Sequence, residues 1–187
     1  MSTSVITVGI IGAGANTKEL HIPGLQAQKG VDVMAVANRS LESGEKVARA
    51  FDIPEAMESW EDIIYNDDID AVCIGTWPYM HAAITIAALE AGKHVLCEAR
   101  MAMNAGEAMA MLETSRMNPD LVAQIVPAPM TFKVDRTLIE LISDGFIGDL
   151  IMIDARITNG TFPQWDSIMH WRENRDLSGN NVMSLGI

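Results

Sequence analysis

Short apolar runs alternate along this chain with longer stretches whose apolar residues recur at helical spacing. The runs "VITVGII" (5–11), "VDVMAVA" (31–37), "DAVCIG" (70–75), "HVLCE" (94–98) and "LVAQIV" (121–126) are strand candidates. Several are apolar almost throughout, the pattern of strands covered on both faces. Helices are predicted between them at roughly 17–29, 41–51, 59–65, 79–91 and 105–117. Their ends carry matching punctuation. Ser40 and Ser59 stand at N-cap positions, and Asn104 with Glu107 has the spacing of a capping box. Pro78 suits a first helical position, and Gly92 follows the end of the same helix.

Strand, helix, strand, repeated with short joints, predicts an α/β fold with a Rossmann-type, doubly wound parallel sheet over residues 1–126. After it "PAPMTFK" breaks the rhythm. A helix at about 134–143, with Leu138, Leu141 and Ile142 inward, is expected to end at Gly145, followed by a strand "LIMIDARIT" (150–158). From Asn159 the sequence reads as mostly irregular. Residues 127–187 thus read as the start of an α+β domain, with too few elements for a core of their own. They pack on the first domain, meet a partner subunit, or belong to a longer chain. The third reading is preferred, and a homo-oligomer is expected.

Composition narrows the choice of partner. Of 187 residues, 25 are acidic and 13 basic, for a net charge of −12. Such a surface repels phosphate backbones and anionic lipid, so neither nucleic acid nor a membrane is expected. No apolar stretch approaches about 18 residues, and no basic leader precedes Val5. Cys73 and Cys97 lie inside apolar runs and read as buried small hydrophobes rather than a disulfide or metal pair. The "DDID" run (67–70) lacks metal-ligand spacing and reads as a solvated turn, and no metal site is expected. A soluble, reducing, cytoplasmic setting follows as the expectation.

The first strand runs into "GIIGAGANT", which places Gly12, Gly14, Ala15 and Asn16 at the turn into the first helix. A dinucleotide pyrophosphate needs bare backbone close by and free amides at a helix N-terminus. Glycine at 12 permits the tight turn, and glycine at 14 removes the side chain that would block approach. The third position of the G-x-G-x-x-G pattern is Thr17, which is expected to loosen helix–strand packing but leave the cradle. At the end of the second strand, where a carboxylate would hold a ribose, stand Asn38, Arg39 and Ser40. These accept a 2′-phosphate that a carboxylate would repel, so NADP is expected over NAD, without excluding use of both. In the alternative reading Ser40 merely caps the helix and Arg39 lies in solvent.

Three further stretches carry a family resemblance. "GIIGAGA", "TWPYMH" after the third strand candidate and "EAGKHVLCE" through the fourth resemble the Gfo/Idh/MocA oxidoreductases. The family's T-x-P-x-x-H is met by Thr76, Pro78 and His81, and its A-G-K-H-V-x-x-E by Ala91, Gly92, Lys93, His94, Val95 and Glu98. "DGFIGDL" (144–150) is similar to the start of the family's second domain. The resemblance implies a dinucleotide-binding domain followed by a substrate domain. It also implies an enzyme passing hydride between nicotinamide and a sugar, inositol or related polyol. Thr76, Trp77, Pro78, His81 and Glu98 would serve the nicotinamide half.

The chemical half departs from the pattern. In the family Glu98 would be followed by lysine and proline; here Ala99 and Arg100 follow. Alanine has no proton to give. Arg100 is a poor acid–base group near neutral pH but a good anion clamp, and stands as the candidate for substrate contact. Without the proline, a cis peptide is not expected here. The resemblance also implies an Asp and a His four residues apart near the end. In that register Ser184 holds the Asp position and the His falls past Ile187. His21 reads as a helix-surface or capping residue. His170, Trp171, Arg172 and Arg175 form an aromatic–basic cluster able to grip a polyol, or an ordinary surface loop. The rival to an enzyme is an inactive or truncated dinucleotide-binding module.

Overall fold

The computed structural model describes residues 5–127, 133–154, 168 and 170–179. Among these, six strands form one parallel sheet in the order β3-β2-β1-β4-β5-β6. They are β1 (Ile6–Ile11), β2 (Val31–Ala37), β3 (Glu55–Met57), β4 (Ala71–Ile74), β5 (His94–Cys97) and β6 (Ala123–Ile125). A π-helical turn at Thr17–His21 runs into α1 (Ile22–Gln26). Then come α2 (Leu41–Ala50), α3 (Trp60–Ile64), α4 (Pro78–Glu90) and α5 (Ala105–Met117).

Successive strand residues serve opposite faces, which explains the continuous apolar runs. Ile10, Val36 and Cys73 join Ile22 of α1 and Val47 of α2 in one core. Their neighbours Ile11, Ala35, Ala37, Val72 and Ile74 join Ile63, Ile84, Leu89 and Met111 of α3, α4 and α5 in the other. Cys73 and Cys97 are free and lie in different cores, and burial pushes each thiol up to about 12.

The caps follow the sequence closely. Ser40 Oγ accepts from Ser43 N at 3.4 Å, and Ser59 forms a reciprocal box with Asp62. Asn104 Oδ1 accepts from Glu107 N at 3.0 Å, while the Glu107 carboxylate accepts from Met103 N, one residue before the cap.

Several expectations are corrected. The edge strand β3 was not anticipated: Glu55, Ala56 and Met57 have little intrinsic strand preference, and the strand exists through its pairing with β2. The "DDID" run is the solvated turn expected, with Asp67, Asp68 and Asp70 exposed, and it is also an anchor. The Asp70 carboxylate accepts from both the amide and the hydroxyl of Thr7 at 2.9 Å, and these bonds hold it below the usual carboxylate value. Buried Lys93 braces the same turn, donating to Asn66 O at 2.8 Å and Ile69 O at 2.6 Å. The helix α6 (Asp135–Ser143) forms as expected, but Leu138 and Ile142 are exposed and Leu141 is only partly covered. No sheet face among the described residues takes that stripe. Residues 150–154 carry no strand, and the rest of the expected 150–158 strand lies outside the described residues.

Candidate functional site

The chain leaves β1 for β2 and β3 on one side, then crosses to β4 on the other. At that reversal an open α/β sheet has a crevice beyond its strand ends. The cofactor and substrate-contact candidates read from the sequence fall along this edge. Residues 12–16 follow β1, 38–40 follow β2, 76–81 follow β4, and Glu98 and Arg100 follow β5.

The turn after β1 is fixed by contacts with its neighbours on both sides. Gly12 has φ +84°, and a Cβ there would lie 2.7 Å from Thr76 N and 2.8 Å from Thr76 Cα. Its amide donates to Ala37 O at 2.8 Å. The next amide, of Ala13, donates to Asn38 Oδ1 at 2.7 Å, and Asn38 Nδ2 donates to Ser43 Oγ at 3.1 Å. Asn38 therefore ties the β1 turn to the first turn of α2. Arg39 is exposed and has no ion pair among the described residues.

Gly14 differs from Gly12. It is exposed, and a Cβ there would meet only Gly75 O, at 3.8 Å. Nothing within the described fold requires glycine at 14. Thr17, in the third position of the pattern, is buried, and its hydroxyl donates to Gly12 O at 3.2 Å. The loosening expected of Thr17 is not seen, because Gly75 makes the room: a Cβ at 75 would collide with the Thr17 hydroxyl.

Across the crevice, the Glu98 carboxylate is held from three directions. Asn16 Nδ2 donates to Oε1, His21 Nε2 lies 2.5 Å from the same oxygen, and Ala99 N donates to Oε2 at 3.0 Å. Burial raises this carboxyl, but the bonds from His21 and Asn16, the His21 charge and the Ala99 amide outweigh it and hold it low. His21 is thus part of the site, which sequence reasoning missed. Residues 16 and 21 would lie about 140° apart around a regular α-helix. The π turn, closed by Ile22 N donating to Thr17 O, turns them toward the same carboxylate.

His81, almost fully buried, sits with Nδ1 2.7 Å from Arg100 O and Nε2 2.9 Å from Thr76 O. Its ring links the ends of β4 and β5. Burial lowers its pKa, only partly countered by those two carbonyls and by Glu98. Thr76 Oγ1 is buried without a hydrogen-bond partner among the described residues. Pro78 is buried at the first position of α4, and Trp77 before it is exposed.

At the end of β5 the Ala99–Arg100 peptide bond is cis, contrary to the trans bond expected. Arg100 Nη2 donates to Ser178 Oγ at 2.5 Å, in the short helix α7 (Arg175–Ser178). A 3-10 turn at Trp171–Glu173 brings the Trp171 ring onto Trp77, stacked at 5.6 Å and 15°. The aromatic–basic cluster therefore lies at this edge. The Asp/His register expected beyond Gly179 lies outside the described residues.

A parallel sheet with its glycine turn at the point of strand reversal defines a Rossmann-type nucleotide-binding fold. The family model "Oxidoreductase family, NAD-binding Rossmann fold" matches residues 6–124, and the chain belongs to that family, the Gfo/Idh/MocA oxidoreductases. Trans-1,2-dihydrobenzene-1,2-diol dehydrogenase of Bos taurus is 28% identical over 98% of this chain and 52% of its own length. 1,5-Anhydro-D-fructose reductase of Ensifer adhaerens is 30% identical over 94% of this chain and 51% of its own. The structure of KijD10, a 3-ketoreductase from Actinomadura kijaniata in complex with TDP-benzene and NADP, superposes with a TM-score of 0.65 at 25% identity. It matches 75% of this chain and 44% of that one. The chain spans about half the length of the curated relatives it matches. Among the described residues no helix is long and apolar enough to cross a membrane.

Proposed function

We propose that residues 1–126 bind NADP or NAD, and that residues 127–187 open the substrate domain of an oxidoreductase acting on a sugar, inositol or related polyol. The observation that carries this reading is the contrast between Gly12 and Gly14. Gly12 is demanded by its own neighbours, whereas Gly14 is bare where the fold has no use for bareness. A pyrophosphate lying against the backbone at 14 supplies the reason, with the first-turn amides of Ala15 and Asn16 facing it. Thr76 Oγ1, buried and without a partner among the described residues, fits a further polar group at the same edge.

The roles then divide. Gly12, Gly14, Ala15 and Asn16 form the cradle. Asn38 positions it from behind, while Arg39 and Ser40 take the adenosine ribose and favour a 2′-phosphate. Thr76, Trp77, Pro78 and Glu98 border the nicotinamide half, and His81 holds its two walls together. Bound nicotinamide supplies or accepts the hydride; the chain's part is to bind, orient and exclude water. The protein acts in the cytoplasm as a homo-oligomer, with the apolar stripe of α6 as the surface to be covered.

A second reading is favoured by one observation: Ala99 offers no proton where the resemblance implies lysine. On that reading the chain holds the dinucleotide without turnover, and reduction of NADP across a panel of sugars and polyols separates the two. The binding claim is tested by calorimetry with NADP and NAD, repeated with Arg39→Ala. NADP should bind at least as tightly as NAD, and the variant should lose about 1 kcal/mol of that preference. An unchanged preference removes Arg39 from the site.

A further inference from the structure

Asn16 and His21 follow β1, Glu98 follows β5, and β4 lies between them in the sheet. Two strand spacings are about 10 Å, so both side chains reach past the end of β4 to the far wall of the crevice. Asn16 stands at the N-cap of the π turn and His21 at the N-cap of α1, yet neither side chain caps its helix. Asparagine is a favoured cap, and here that bond is forgone. Both side chains go to Glu98 instead, and the π turn, a form found mostly at functional sites, supplies the phase that lets them.

An ionised carboxylate offers about four acceptor places, two on each oxygen. Glu98 Oε1 accepts from Asn16 Nδ2 and His21 Nε2, and Oε2 accepts from Ala99 N at 3.0 Å. One place is left, on Oε2. The carboxylate is not sealed, because the Glu98 side chain keeps 14% of its exposure. Burial opposes the charge that makes Glu98 an acceptor, and the donors at Oε1 keep it ionised. The other titratable groups around it are His81 of α4, Cys73 of β4 and Cys97 of β5, with Arg100 beside His81. Burial holds His81 low and pushes both thiols up to about 12, so these three are uncharged at neutral pH.

We propose that His21 is a positioning residue for the dinucleotide: with Asn16 it fills Glu98 Oε1 and leaves Oε2 to accept one hydroxyl of the nicotinamide ribose. The proposal rests on the dinucleotide reading given under Proposed function, and adds to it a residue that acts through Glu98. By its amide Asn16 belongs to the pyrophosphate cradle, and by its side chain to the Glu98 wall. The network therefore fixes the separation between the pyrophosphate contact and the contact to the next ribose. A ligand that ends at the pyrophosphate gains nothing from it; a ligand that carries the next ribose does.

The test uses the full chain, with NADP, ADP-ribose and ADP as probes in calorimetry near neutral pH. His21→Ala and Asn16→Ala should each weaken NADP and ADP-ribose about tenfold and leave ADP unchanged. His21→Gln, whose amide can donate where Nε2 does, should restore most of the loss. Thermal unfolding checks that each variant is folded, and His21→Leu, which fills the space without a donor, decides the matter if alanine loosens the turn. A second readout is the pH dependence of ADP-ribose affinity, since that ligand has no phosphate titrating in mild acid. Affinity needs the ionised carboxylate, so it is present above the Glu98 pKa and lost as the pH falls through it. Removing the His21 donor raises that pKa, so the loss should begin at higher pH in His21→Ala and near the wild-type position in His21→Gln. Unchanged ADP-ribose affinity in His21→Ala and His21→Leu overturns the proposal. So does a loss shared equally by ADP, or one that glutamine does not repair, since His21 is then merely structural. If the wild-type chain binds no dinucleotide, the reading under Proposed function fails and this one with it. If it binds NADP and the His21 variants are indifferent, only this one fails.

Discussion

The ends of β1 and β5 face the same crevice but are built in different ways. At β1 the geometry is imposed by backbone: Gly12 packs against Thr76, and amides 12 and 13 are tied to Ala37 and Asn38. At β5 it is imposed by side chains brought from elsewhere. Glu98 is fixed by Asn16 and His21, and Arg100 by Ser178 and the Trp171 cluster. A backbone-built site tolerates almost no substitution at its glycines but is indifferent to many side chains. A side-chain-built site can change its chemistry while the strand beneath it stays the same. The pattern that the resemblance implies is met at Gly12 and Gly14 and departed from at Ala99 and Arg100, as that difference in construction allows.

Substitutions sharpen the comparison. Gly12→Ala should have the largest effect. It adds a Cβ against Thr76 backbone at a φ of +84°, and should cost about 3 kcal/mol of stability, measured by urea unfolding. A stable variant would mean that the β1 turn is not held by its neighbours.

Glu98→Gln comes next, and should weaken dinucleotide binding by about 1–3 kcal/mol in calorimetry. The same variant has a pH signature. Because the folded carboxyl is held below its unfolded value, its contribution to stability is present above the unfolded value and lost as the pH falls through the folded one. Glu98→Gln should therefore flatten part of the acid limb of the unfolding curve. An unchanged limb together with unchanged affinity would detach Glu98 from both roles. The smallest effect is expected from Ala99→Lys, which should leave dinucleotide affinity within about 0.5 kcal/mol. Residue 99 is exposed, and its side chain bears no part of the Glu98 bond network.

Apolar runs and caps made most of the sheet legible, because buried parallel strands and helix starts each leave a local pattern. What escaped was non-local. β3 has no strand-like composition and depends on β2 alone. Gly75, which makes room for Thr17, lies 58 positions away from it, and nothing local links the two. His21 reads from the sequence as a helix-surface or capping residue, and the π turn that brings it to the carboxylate shared with Asn16 leaves no local mark. Asn38 stands out as a candidate from its position at the end of β2, yet its hold on Ala13 could only be read in three dimensions. The stripe on α6 was read correctly as apolar, but its covering was assumed.

The account stands most directly on Gly14. A Cβ at this position meets only Gly75 O at 3.8 Å, so Gly14→Ala should leave stability within about 0.5 kcal/mol. If the bare backbone exists for a pyrophosphate, the same change should lower NADP and NAD affinity together by tenfold or more, about 1.4 kcal/mol. Calorimetric titration of both dinucleotides into the wild-type chain and Gly14→Ala, beside their urea unfolding curves, makes the measurement. Equal stability with a common loss of affinity is the predicted result. Unchanged affinity for both dinucleotides, or no binding to the wild-type chain, would contradict the account.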